Sequence, residues 1–179
     1  YATTHLHLNV FKGDLFSPQF QDRFFDIVTL YNVLEHTHHP VRVCHEIHRI
    51  LKDDGFLVIE VPNKNSLQYA IFKKGWAAFD VPRHLYCFGV ETLTTLLEGA
   101  GFTAAKIDHF MNWWHPPTIV ISLFPNLDPQ KAWAEETRGG SRVFQRLAWI
   151  IATLLASPFA QLESWSGRGA LVTYYGVKN

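Results

Sequence analysis

The stretch Phe25–His36 reads FDIVTLYNVLEH, and its first seven residues form a near-continuous apolar run rich in β-forming side chains. Such a run suits a strand buried on both faces, as in a parallel sheet. Downstream, Pro40–Leu51 has helical spacing, with Val41, Cys44, Ile47 and Leu51 on one side and Arg42, Glu46 and Arg49 elsewhere. Asp53-Asp54-Gly55 supplies a stop and a turn, and Phe56–Val61 (FLVIEV) is a second buried strand cut by Pro62. Glu91–Ala100 reads as a helix closed by Gly101, followed by strands over Thr103–Phe110 and Ala170–Val177. Working back toward the start, Leu6–Phe11 reads as a short strand that ends at Gly13-Asp14. This alternation predicts an α/β fold built on a mostly parallel, Rossmann-like sheet.

The segment 112–168 breaks that rhythm. Asp128-Pro129 has the chemistry to start a helix, and Ser141 would cap another whose Val143, Phe144, Leu147, Ile150, Ile151 and Leu154 form a broad apolar stripe. The segment therefore reads as a helical insertion or cap, set between a core of residues 1–111 and the closing strand within 169–179. Leu147–Ala160 is too short a run to cross a bilayer, which takes about 20 residues, and so predicts a buried or interfacial helix. Trp113, Trp114, Trp133 and Trp149 are expected in the core rather than in a pocket wall.

Composition narrows the class of partner. Sixteen basic and 16 acidic residues balance, so nothing draws the chain toward nucleic acid. An apolar share of 47% is that of an ordinary globular protein. Cys44 and Cys87 form no paired motif and predict free thiols in a reducing, cytoplasmic setting.

In an open α/β sheet, ligands bind beyond the carboxyl ends of the strands. That points to Asp14, to Tyr31–His36 and to Pro62-Asn63. FDIVTLYNVLEH, with HEIHRILKDDGFLVIEVPN (His45–Asn63), DVPRHLYCF (Asp80–Phe88) and ETLTTLLEGAGF (Glu91–Phe102), resembles the later half of class I S-adenosylmethionine-dependent methyltransferases. The resemblance covers roughly residues 9–110 and implies S-adenosylmethionine as cofactor. It assigns Asp14 and the backbone of Leu15 to the adenine, and Tyr31, Asn32 and Val33 to the methionine part. Asp80, Arg83 and His84 would lie at the substrate pocket: Arg83 clamps an anionic group, and His84 or His36 accepts a proton from the acceptor.

Glu35-His36 reads as an anchor for the turn. In a subset of relatives a Glu-x-x-Glu-His pattern binds a divalent metal, but Asn32 stands here in place of the first Glu. The less favoured alternative is thus a Mg²⁺-type site on Glu35, His36 and His84, and no metal is the expectation. His38 and His39 read as exposed loop residues. The glycine-rich cofactor loop of the family is not in the sequence, so the sheet is expected to be incomplete at its N-terminal side.

The leading expectation is a methyltransferase acting on a small molecule. The alternatives are a non-catalytic scaffold, a membrane-surface enzyme for a lipid or quinone precursor, and, on fold alone, a dehydrogenase. Neither the acceptor nor the oligomeric state is readable from the residues.

Overall fold

Strands β1 (Phe25–Tyr31) and β2 (Leu51–Pro62) pair in parallel, and helix α1 (Pro40–Ile50) makes the crossover between them. The computed structural model describes residues 1–17, 20–109, 115–129 and 141–179. After β2 come α2 (Leu67–Phe72), α3 (Val90–Gly99) and β3 (Phe102–Asp108). Two further helices, α4 (His115–Leu123) and α5 (Ser141–Trp165), precede β4 (Leu171–Lys178). The helix expected after Asp128-Pro129 and the side chains of Trp113, Trp114 and Trp133 lie outside the described residues.

The sheet has the order β1-β2-β4-β3. β4 runs antiparallel to both of its neighbours, so three strands share one direction and the last opposes them. The segment between β3 and β4 brings the chain back to the same end of the sheet at which β3 stops, with Asp108 opposite Thr173, so β4 runs in the reverse direction. Leu57, Ile59 and Val61 of β2 and Val172 and Tyr174 of β4 are fully buried, as central strands require. Cys44, Ile47, Leu93 and Leu97 pack on them from α1 and α3. Gly101 closes α3 at φ +93°, and a Cβ there would meet the His48 ring at 2.7 Å.

Several expectations are corrected. Leu6–Phe11 is not a strand: it pairs with nothing among the described residues, and Leu8 and Phe11 are about half exposed. β-forming residues without a ladder to join stay irregular. β1 is not buried on both faces, because it is an edge strand. Val28 and Leu30 pack on the core, while Ile27 and Tyr31 face outward at 59% and 53% exposure. Helix α1 is phased on Val43, Cys44, Ile47 and Ile50, which leaves Val41 exposed. Asp53-Asp54-Gly55 does not end the element before β2. It lies inside the strand, where the register jumps from Phe25↔Leu51 to Ile27↔Phe56 and Asp54 takes φ +59°.

The largest correction concerns α5. It is 25 residues long and continues through Pro158. By length and composition alone, Val143–Trp165 is long and apolar enough to cross a membrane. Its Ala160, Glu163 and Ser164 are buried on the side toward α4, whereas Phe144, Leu147, Ile151, Leu154, Leu155 and Leu162 are exposed. The expected apolar stripe exists, but it faces outward.

Candidate active site

Asn32 leaves β1 in the left-handed region at φ +51°, a conformation that asparagine tolerates better than most residues. Glu60 of β2 holds it there. The Asn32 N–H donates to the Glu60 carbonyl at 2.9 Å, and its Nδ2 donates to Glu60 Oε1 at 3.2 Å. The Thr173 hydroxyl donates to Glu60 Oε2 at 3.2 Å. Burial pushes the Glu60 carboxyl above the usual range, and these two side-chain bonds partly counter the rise. Sequence reasoning passed over Glu60. The signal was one acid within an otherwise apolar strand, FLVIEV, where a carboxylate has to find partners. On either side of Asn32, Tyr31 and Val33 are exposed and form a ledge at the end of the strand.

Beyond the ledge, a short 3-10 turn at Leu34–His36 receives a second segment of chain. The Leu85 and Tyr86 N–H groups both donate to the Glu35 carbonyl, at 2.8 and 3.2 Å. His36 Nδ1 lies 2.9 Å from the Arg83 carbonyl oxygen. The backbone of Glu35 and the ring of His36 thus clamp the loop 80–86 against the end of β1, which is an anchoring role. Within that loop Asp80 and Arg83 form a 2.6 Å ion pair whose arginine is exposed. Such a pair contributes little to stability and leaves the guanidinium accessible.

His84 is nearly buried. Its Nδ1 lies 3.0 Å from the Ala78 carbonyl, and its Nε2 lies 4.0 Å from Glu35 Oε1. The rings of His36 and His84 meet edge-on at 4.6 Å. Burial holds the Glu35 carboxyl above and the His84 imidazole below their ordinary values, and the neighbouring His36 adds to the latter. The pair Glu35-His36 and the group Asp80, Arg83 and His84, which the sequence named as two sets, are therefore brought together at one end of the sheet.

Asp14 and Leu15 belong to a turn before β1. The Ser17 hydroxyl donates to Asp14 Oδ1 at 3.3 Å, and Leu15 packs on the core. Asp14 is exposed. His38 and His39 are exposed as expected, and together with Tyr86 they border a shallow depression of about 710 Å³. The two cysteines are free thiols; burial pushes that of Cys44 up to about 12, whereas Cys87 is exposed.

Comparison with known proteins gives the family. A family model described as a methyltransferase domain matches residues 4–107. The chain belongs to this family, and its open α/β sheet resembles the fold of solved S-adenosylmethionine-dependent methyltransferases, consistent with class I. With that, the dehydrogenase alternative falls. A solved S-adenosylmethionine-dependent methyltransferase of Thermotoga maritima is similar in fold, with TM-score 0.57 and 19% identity over 94% of this chain and 63% of that one. One from Archaeoglobus fulgidus also has TM-score 0.57, at 18% identity over 98% of this chain and 70% of that one. An uncharacterised protein of Methanocaldococcus jannaschii is 48% identical over 48 residues, which is 27% of this chain and 21% of the relative. The chain thus spans about a fifth of that relative and less than two thirds of the Thermotoga structure.

Proposed function

We propose that this chain supplies the acceptor side, and one wall of the cofactor site, of a methyltransferase acting on a small molecule in the cytoplasm. The observation that carries the reading is the docking of the loop 80–86 onto Glu35 and His36, beside the ledge Tyr31–Val33. The ledge suits S-adenosylmethionine: Tyr31 and Val33 offer exposed apolar surface, and Glu60 fixes Asn32 between them. Asn32 would face the methionine part of the cofactor, and Asp14 and Leu15 the adenine. The cofactor brings a methyl group already activated on a sulfonium. The protein's work is then to align the acceptor and to exclude water. Arg83, exposed and oriented by Asp80, binds an anionic group of the acceptor. His84 and His36, with each Nδ1 held by a carbonyl, present Nε2 as the lone-pair atom toward an acceptor hydroxyl.

Calorimetry with S-adenosylhomocysteine tests this, on the chain carried at the length of its solved relatives. Binding is expected, and Asn32→Ala should weaken it by roughly tenfold, the loss of about one hydrogen bond. Absence of heat and of any thermal shift would leave the non-catalytic scaffold as the better reading.

The exposed stripe of α5 favours a second reading, in which the enzyme works at a membrane surface on a lipid or quinone precursor. A soluble monomer rarely shows so long an apolar face. Liposome flotation is expected to carry the wild type, and Leu154→Glu with Leu155→Glu should release it. Failure of the wild type to float with liposomes would end this reading.

A further inference from the structure

Helix α5 turns an apolar face outward, and the charges around that face say what covers it. Leu154, Leu155 and Trp165 are 66%, 76% and 76% exposed, and no charged residue occurs from Leu147 to Leu162. The stretches 61–79, 115–127 and 143–169 hold α2, α4 and α5; their Lys and Arg residues are Lys64, Lys73, Lys74, Arg146 and Arg168. Glu163, which is buried, is the one Asp or Glu in these three stretches. A chain whose charges balance overall is therefore cationic here. The cations bracket the apolar face. Arg146 lies in the second turn of α5 and is exposed. At the other end, the Leu67 N–H donates to the Arg168 carbonyl at 3.1 Å, and Arg168 Nε donates to the Asn65 carbonyl at 3.3 Å. Lys64 is thus set beside that end, with exposed Lys73 and Lys74 one short helix away. Interfacial helices have this pattern: aliphatic side chains enter the acyl boundary, tryptophan sits at headgroup level and cations meet the phosphates.

We infer that α5 docks on a membrane surface bearing anionic headgroups, and that it lies in the plane of that surface instead of crossing it. A crossing helix needs every polar group on it satisfied within the bilayer. One side of α5 is committed to the protein body. Glu163 accepts from the N–H and the Nε2 of Gln68, and Ser164 Oγ lies 3.0 Å from His115 Nδ1. Drawing α5 across a bilayer would break these bonds and put a carboxylate into hydrocarbon. A second copy of this chain fits the face less well. Zippered helices fix their register with charges that flank the apolar seam, and Leu147–Leu162 has none. A lipid surface demands no register. The end of α5 also adjoins the acceptor side of the sheet, because the Lys64 N–H donates to the carbonyl of Phe88, two residues beyond the loop 80–86, at 2.8 Å. The inference rests on the membrane-surface reading and deepens it by naming the lipid class and the orientation.

The test uses the chain at the length of its solved relatives. Flotation compares vesicles of phosphatidylcholine alone with vesicles in which about a third of the lipid is phosphatidylglycerol. Binding should favour the anionic vesicles by about tenfold or more and lose that preference in high salt. Lys64→Gln, Lys73→Gln and Lys74→Gln combined should weaken anionic binding about 100-fold, roughly fivefold per lysine, with an unchanged melting point. Equal binding to both vesicles, or a triple variant that binds as the wild type does, would overturn the proposal and leave the membrane-surface reading standing. Binding to neither would end both. Orientation is read from an environment-sensitive dye placed in turn by Phe144→Cys, Leu155→Cys and Leu162→Cys in a Cys87→Ser background, since Cys44 is buried. Spin labels fixed at one lipid depth should quench all three dyes alike. A deep position 155 between shallow ends would make α5 a spanning helix and refute the proposal. Dimerisation without vesicles that Leu154→Glu with Leu155→Glu abolishes would put a second copy on the face and refute it as well.

Discussion

Glu163→Ala is expected to destabilise the fold by about 4 kcal/mol and to lower Tm by roughly 10 °C, read from urea and thermal unfolding. Glu163 of α5 is fully buried and accepts from Gln68 twice, from the backbone N–H at 3.0 Å and from Nε2 at 2.8 Å. It therefore caps the first turn of α2 and ties that helix to α5. Gln68 is saturated on its other sides. Its Oε1 accepts from Trp76 Nε1 at 3.2 Å and from the Thr118 hydroxyl at 2.7 Å, and Nε2 also donates to the His115 carbonyl at 3.2 Å. Truncating Glu163 leaves two donors of Gln68 buried without that partner, at about 1–3 kcal/mol each, one of them the N–H in the first turn of α2. Burial holds the Glu163 carboxyl above its usual value, and the bonds from Gln68 oppose that rise. Glu163→Gln, which keeps the shape and part of the bonding, should cost less than half as much. Equal losses in the two variants would show that the charge, and not the hydrogen bonding, is what matters.

The second large effect is a loss of stability in acid that traces to His115. This residue is 1% exposed at the start of α4, and burial pushes its imidazole down to about 4, with nearby His109 adding a smaller repulsion. The geometry says why. The Leu171 N–H donates to Nε2 at 3.0 Å, so Nε2 must be unprotonated, and Nδ1 lies 3.0 Å from the Ser164 hydroxyl. Protonation would set an N–H against an N–H at the first residue of β4. Because the folded value lies below the unfolded value of about 6.5, the unfolded chain binds the extra proton between the two. The contribution is whole above pH 6.5 and falls by about 1.4 kcal/mol per unit toward pH 4, roughly 3 kcal/mol in all.

Glu35, Glu60 and Glu163, whose carboxyls are raised, act with the opposite sign and gain stability as pH falls. The measurement is therefore a difference: urea unfolding of wild type minus His115→Gln at pH 7.5, 6 and 5. The difference should shrink as pH falls. A constant difference would mean that His115 does not titrate with unfolding.

Several parts of this protein were legible in its residues. FDIVTLY and FLVIEV marked the two parallel strands, Gly101 marked the end of α3, and the spacing of Cys44 and Ile47 marked the buried face of α1. These signals are local: period, propensity and turn chemistry act within a few residues. The resemblance carried by Phe25–His36 and the later motifs reached the family for the same reason, since contiguous residues carry it. For the candidate site, the pair Glu35-His36 and the group Asp80, Arg83 and His84, named from two separate motifs, share one place.

Other features were decided only by tertiary structure. The antiparallel entry of β4 depends on where α4 and α5 leave the chain, and a strand's own residues do not encode its direction. The edge position of β1 turned an apolar run into a half-exposed strand, because burial depends on neighbours. Glu163, Gln68 and His115 lie 47 to 95 residues apart in their hydrogen-bonded pairs, and no spacing rule joins them. At Glu35 the sequence by itself determined that an acid stands beside a histidine after a strand. The burial of that acid without a hydrogen-bond partner among the described residues, and the two imidazoles near it, came from the clamp of residues 80–86 onto the turn. Hydrogen bonding across that clamp is long-range, so only the fold could set which lone pairs were left free.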